Sequence, residues 1–271
     1  MKKLLLILIA LPIIGFGQNV YIPDANFKAY LVGNSLINTN GDTEIQVSEA
    51  NSFNGNISCG FMNISNLIGI EAFTALTELY CWSNQLTSLD VSNNLALTFL
   101  DCNYNQLTSL DVSQNYNLIE LKCFNNQITS IDVSNCTALI QLNCHHNQIT
   151  TLDVSNNPSL NYLLCDTNQL TNLDVRNGNN SNFLYFLSSG NPNLACIDVD
   201  DVNYSTTNWL NIDAQHYFSI NCPPPSAIQE HTINKELLKV TDLLGRETKQ
   251  TNQLLFYIYD DGTVEKRIVI E

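Results

Sequence analysis

The sequence predicts a solenoid: short parallel strands stacked into a curved sheet, with a helical cap in front and a small all-β segment behind. Three observations carry this. A 21-residue unit recurs five times without a gap, from Leu76 to Asn180. Within each unit, apolar residues alternate with polar ones over a few positions, the period of a strand with one face buried. Composition fits a repeat more than an ordinary domain. Charged residues make up only 14%, apolar residues 44%, and asparagine fills about one position in seven.

The five copies are LTELYCWSNQLTSLDVSNNLA, LTFLDCNYNQLTSLDVSQNYN, LIELKCFNNQITSIDVSNCTA, LIQLNCHHNQITTLDVSNNPS and LNYLLCDTNQLTNLDVRNGNN. Their skeleton, LxxLxCxxNQ(L/I)TxLDVxxxxx, resembles the leucine-rich repeat family, with cysteine at the third leucine position. In the first copy Leu79 and Cys81 point inward, and Leu86, Leu89 and Val91 complete the interior. Asn84, repeated at Asn105, Asn126, Asn147 and Asn168, is placed to turn the chain and to bond the neighbouring coil's backbone as a stacked amide ladder. One coil cannot stand alone. Burying its few apolar side chains recovers less than ordering 21 residues costs, so stability comes from stacking.

Capping segments flank the array. Ahead of it, residues 22–31 read as a short amphipathic helix with Asp24 as its cap. Residues 57–71 read as an irregular first coil. Together these resemble the cap and first coil of bacterial internalin-like proteins. After it, residues 183–199 form a degenerate coil in which Asn191, Leu194, Ile197, Asp198 and Val199 echo the skeleton, and residues 205–222 lose the pattern. The expected domains are a signal peptide (1–17), a helical cap (18–55), the solenoid (56–200), a C-terminal cap (201–222), a linker (223–235) and a sorting domain (236–271).

Met1-Lys2-Lys3 followed by the apolar run Leu4 to Phe16 reads as a secretory signal. Thirteen residues fall short of the about 20 that span a bilayer. The C-terminal run KVTDLLGRE…FYIYDDGTVEKRIVIE contains a strand and a hairpin with a glycine-containing turn, and six of the 11 basic residues lie in the last 37 positions. It resembles the type A C-terminal sorting domain of type IX secretion in Bacteroidetes. That resemblance implies export through the type IX machinery by way of residues 236–271, and a secreted or outer-surface location in a Gram-negative bacterium.

Nine cysteines fall into three groups. Cys59, Cys81, Cys102, Cys123, Cys144 and Cys165 share one inward column, as small buried thiols. Cys196 and Cys222 lie beyond it in an exported protein, and a disulfide between them is expected to seal the last coil. Cys136 stands at a position that varies between copies and reads as a lone thiol on the convex side. Residues 38–49 resemble an EF-hand loop, with Asn38, Asn40, Asp42, Glu44 and Glu49 as candidate calcium oxygens. Asn38 replaces the usual first aspartate and Thr43 the turn glycine, so a polar turn closing the cap is the competing reading.

Function is expected on the concave face, where the outward strand positions differ from copy to copy. One column reads Glu78, Phe99, Glu120, Gln141, Tyr162; the next Tyr80, Asp101, Lys122, Asn143, Leu164. The third reads Trp82, Asn103, Phe124, His145, Asp166, flanked by Tyr104 and His146. Rings beside carboxylates and amides suit recognition of a protein or glycan. A formal net charge of −15 excludes a nucleic-acid partner. The sequence holds no GxSxG, HExxH or phosphate-binding glycine loop. Cys144 and His145 point to opposite faces, so no thiol–imidazole pair forms. The weaker alternatives are a structural surface element without a ligand, and a hydrolase using Asp101, Glu120 and Asp166.

Overall fold

The structure, a computed structural model, describes residues 18–223, 237–241, 247, 254–259 and 264–268. The expected signal peptide and nearly all of the linker lie outside these residues. The chain divides into two compact units, the first ending at Cys222 and the second starting at Pro223.

In the first unit, helices α1 (Ala25–Gly33) and α2 (Val47–Ser52) precede a series of three-residue strands. These are β1 (Asn56–Ser58), β2 (Glu78–Tyr80), β3 (Phe99–Asp101), β4 (Glu120–Lys122), β5 (Gln141–Asn143), β6 (Thr151–Asp153) and β7 (Tyr162–Leu164). They continue with β8 (Asn172–Asp174), β9 (Tyr185–Leu187), β10 (Cys196–Asp198), helix α3 (Val202–Asn208) and β11 (Tyr217–Ser219). Strands β1-β2-β3-β4-β5-β7-β9 form one parallel sheet, in register so that Leu79, Leu100, Leu121, Leu142, Leu163 and Phe186 stand side by side. A second parallel sheet, β11-β10-β8-β6, takes β6 and β8 from Leu-Asp-Val segments, β10 from the matching Ile-Asp-Val of the degenerate coil and β11 from the C-terminal cap. The result is a β-solenoid of about eight turns. The second unit is a three-stranded antiparallel sheet of β12 (Leu237–Thr241), β13 (Leu254–Tyr259) and β14 (Val264–Ile268).

Between the sheets the chain turns inside the protein, where unpaired backbone groups are costly. The asparagine ladder supplies the partners. Asn105 Nδ2 donates to Cys102 O (3.1 Å) in its own coil and to Cys81 O (3.1 Å) in the previous one, and its Oδ1 accepts from Leu86 N (3.0 Å). Asn84, Asn126, Asn147 and Asn168 repeat the pattern, and Asn191 extends it into the degenerate coil. The residue before each ladder asparagine, Ser83, Tyr104, Asn125, His146 and Thr167, takes a positive φ of 50–53° to make the bend.

A second asparagine ladder runs through the interior. Asn94, Asn115 and Asn157 are fully buried and donate to carbonyls of the preceding coil. Cys136 occupies this column, so it is a buried member of the ladder and not a thiol on the convex side. Its Sγ faces Val112 O and Asn115 O, the acceptors an asparagine would reach there. The six thiols of the strand column are also buried and free, and burial pushes them above their ordinary pKa.

The ends are closed by different means. Helix α1 begins two residues beyond Pro23 because Asp24 is its cap: Oδ1 accepts from Asn26 N and Phe27 N, while Oδ2 accepts from Ser65 N and Ser65 Oγ, tying the helix to the first coil. The 38–49 loop is the polar turn. Glu49 Oε1 accepts from Thr39 N, Thr39 Oγ1 and Asn40 N, and its Oε2 from Gln46 N. Asn38 Oδ1 accepts from Gly41 N, Asn40 Oδ1 from Asp42 N, Asp42 Oδ1 from Glu44 N, and Glu44 pairs with Lys28 at 2.6 Å. The five candidate calcium residues thus serve protein donors. Among the described residues no group of three or more His, Cys, Asp or Glu is arranged to hold a metal ion.

At the other end the expected cap does more than cover the stack. Its β11 adds a strand to β10, Trp209 stacks on Phe186 at 4.1 Å, and Cys196–Cys222 form a disulfide. Among the described residues no helix is long and apolar enough to cross a membrane.

Asn126→Ala leaves the Leu107 amide without its acceptor and takes one of two asparagine donors from each of Cys102 O and Cys123 O, and is expected to cost about 2 kcal/mol in denaturant unfolding. The disulfide closes a loop of 26 residues, so Cys222→Ser is expected to lose about 3 kcal/mol, with reduced wild type matching the variant. Hydrogen bonds from the hydroxyl and amide of Ser92, Ser113 and Ser134 hold Asp90, Asp111 and Asp132 below the ordinary carboxylate pKa of 3.8. Lowered folded values mean this stability is complete above the unfolded pKa and is lost as pH falls through the folded ones. The melting temperature should therefore drop below about pH 4, and less steeply when all three are Asn.

Candidate functional site

The outward face of the seven-stranded sheet gathers the residues expected to bind. Strands β2, β3, β4 and β7 each bury a central Leu, while the flanking side chains remain half-exposed. Adjacent coils lie about 4.8 Å apart, close enough for side chains at one repeat position to touch across strands.

They touch in two groups. In the first, Tyr80 and Phe99 stack at 4.6 Å between ring centroids, and Lys122 Nζ sits 4.9 Å from the Phe99 centroid while pairing with Glu120 at 2.7 Å. Tyr80 Oη donates to Glu78 Oε2 at 2.9 Å. Burial and the nearby carboxylates Glu78, Glu120 and Asp101 push the Tyr80 phenol up to about 12. Asp101 accepts from Asn103, and burial, with Glu120 adding to it, raises its pKa. In the second group, Phe124 stacks on His145 at 4.4 Å and meets Tyr104 edge-on at 5.4 Å, and His145 meets His146 edge-on. Burial lowers the His145 pKa despite Asp166.

Trp82 and Phe124 are therefore packed as well as displayed. Trp82 lies over Gly60, where an added Cβ would come within 2.7 Å of the indole, and meets Phe61 edge-on at 4.4 Å. Asn103 is more withdrawn than expected, at 5% exposure. Tyr162 belongs to a third ring pair, stacked on Tyr185 at 5.2 Å. Neither Phe61 nor Tyr185 stood out in the sequence. Tyr185 follows Tyr162 by 23 residues, so a fixed step of 21 misses it, whereas Phe61 falls one such step before Trp82.

The three carboxylates considered for hydrolysis do not converge. Glu120 is paired with Lys122, Asp101 is held by Asn103, and Asp166 lies three strands from Asp101, about 14 Å at this strand spacing. A glycosidase pair needs roughly 5–10 Å. Cys144 is buried behind the sheet while His145 faces out, so their side chains do not meet.

With parallel coils, an asparagine ladder and variable outward positions, this is a solenoid of the leucine-rich-repeat type. The sequence profile for leucine-rich repeats (2 copies) matches residues 116–157. Among solved structures, an internalin (inlF) from Listeria monocytogenes is 19% identical, covers 76% of this chain and 72% of its own, and superposes with a TM-score of 0.55. The functional domain of InlJ from Listeria monocytogenes, described as including a cysteine ladder, is 26% identical over 74% of this chain with a TM-score of 0.31, and this chain spans 60% of its length. An internalin C2 (inlC2) of the same species is 19% identical, covering 73% of this chain and 93% of its own, with a TM-score of 0.43. No curated protein sequence matches. Scaffolds of this kind typically mediate protein–protein interaction without catalysis, and no catalytic family is indicated.

Proposed function

We propose that this is a secreted or cell-surface binding protein that recognises a protein ligand through the outward face of the seven-stranded sheet. The observation that carries it is the division of labour within one repeat. Inward positions hold the same Leu, Cys and Asn in coil after coil, whereas the outward ones change from Glu to Phe to Tyr, or from Trp to Phe to His. Packing dictates the first set. The second presents rings, carboxylates and amides half-exposed on rigid strands, the arrangement that gives an interface its aromatic anchors. Export by type IX secretion is supported by the N-terminal basic-apolar run and by the resemblance of residues 236–271 to a type A sorting domain.

Alanine at Trp82 and at Phe124 tests the face. The purified chain is probed on arrays of host or prey proteins and of glycans. Loss of a protein ligand by both variants, with melting temperatures within a few degrees of wild type, supports the reading. A ligand that survives both changes overturns it, and binding only to glycans moves the assignment to a carbohydrate ligand. Deleting residues 236–271 is expected to trap the protein in the periplasm; unimpaired release into the medium would remove the sorting role.

A further inference from the structure

The first group of side chains on the face has a charge imbalance that its own residues leave uncorrected. Three carboxylates, Glu78, Asp101 and Glu120, stand on three consecutive strands around the Tyr80–Phe99 stack. One ammonium, Lys122, serves them, and it pairs with Glu120. Glu78 is held by the Tyr80 hydroxyl and Asp101 by the Asn103 amide; Lys122, opposite Asp101 across β3 and β4, also acts on Asp101 through its charge, but neither carboxylate forms a salt bridge among the described residues. The aromatic floor already receives a cation: Lys122 Nζ lies 4.9 Å from the Phe99 centroid. Rings attract ammonium and guanidinium groups through their negative faces, and more strongly where water is partly excluded.

We propose that this patch is a subsite for a lysine or arginine side chain of the protein partner, seated on the Tyr80–Phe99 stack between Glu78 and Asp101. The proposal rests on the face being a protein-recognition surface and names the chemistry of the group it takes. A metal ion is a poorer occupant. No metal-holding group forms among the described residues, and the ring faces offer a metal ion no oxygen. Lys122 is then the resident competitor. It holds one carboxylate and one ring face while the partner is absent, and its charge weakens the pull on the incoming cation.

The test is calorimetric titration of the full chain with acetyl-tetraarginine amide at low salt, with acetyl-tetraglutamine amide as the neutral control. Binding of the first alone is expected, weakening as salt rises. Asp101→Asn and Phe99→Leu should each weaken it about tenfold, the scale of one close charge or cation–ring contact. Lys122→Gln should tighten it severalfold. Asp111→Asn removes the same charge from a column outside this face and should leave affinity unchanged. Equal weakening by Asp111→Asn and Asp101→Asn would reduce the effect to the protein's overall acidity and overturn the subsite. Absence of binding even to Lys122→Gln would overturn it as well. If an array ligand depends on Trp82 and Phe124 but ignores Asp101→Asn and Phe99→Leu, the recognition face stands and the cation subsite falls. Loss of that same ligand in all four variants supports both.

Discussion

An asparagine side chain with two donors and one acceptor is the part on which the rest of this solenoid depends. Where the chain leaves each strand of the seven-stranded sheet, carbonyls and an amide point into a dry interior. Each ladder asparagine meets two carbonyls, one from its own coil and one from the previous, and accepts an amide from that previous coil. Cys81 O illustrates the linkage, accepting from Asn84 and from Asn105. Each such carbonyl holds two coils together. An alanine there would leave the amide unpaired and take from each carbonyl one of its two donors, which is why the column repeats without substitution from Asn84 to Asn191.

Because hydrogen bonding and the inward Leu and Cys columns carry the stability, the outward positions are free of that duty. The register makes use of this. With strands in step, like positions fall side by side, so flat side chains stack along the sheet: Tyr80 on Phe99, Phe124 on His145, Tyr162 on Tyr185. Stacking fixes ring orientation at little cost in side-chain entropy, which suits a surface meant to bind without rearranging. Crowding acidic groups among these rings has the opposite energetic sign, and the raised pKa of Asp101 reflects burial and the adjacent Glu120 charge. A stack of like coils tolerates such local strain because the ladder ties each coil to its neighbour.

A solenoid has no closed core, so its ends need separate solutions. Here one end uses a carboxylate, Asp24, to join a helix to the first coil; the other uses rings and a disulfide. Trp209, with Phe183, Phe186 and Phe218 around it, takes the place that a further coil's leucines would fill.

Much of this was legible in the chain of letters. The 21-residue period located the strands, the thiol column and the first asparagine ladder; Asp24 announced the first helix, and Cys196 and Cys222 announced their bridge. These features are local or periodic, so a single coil contains the information. Four others required the folded neighbours. Cys136 looked like a surface residue until the second ladder defined its column. Trp82 was legible only as an outward residue of the face, and its packing over Gly60 needed the preceding coil. The acidic loop at 38–49 resembled an ion cage but, with Asn38 and Thr43 out of pattern, read better as a turn, and its oxygens became committed only when Lys28 and the amides of Thr39, Asn40 and Gln46 arrived in space. Pairing of the Leu-Asp-Val segments into a second sheet beginning at β6 was likewise invisible. By itself the sequence determined which side of each strand is buried, because alternation and period are properties of the chain. Only the tertiary structure decided which outward and polar groups were already satisfied, because a hydrogen bond, an ion pair or a ring stack belongs to two residues, and the second came from another coil.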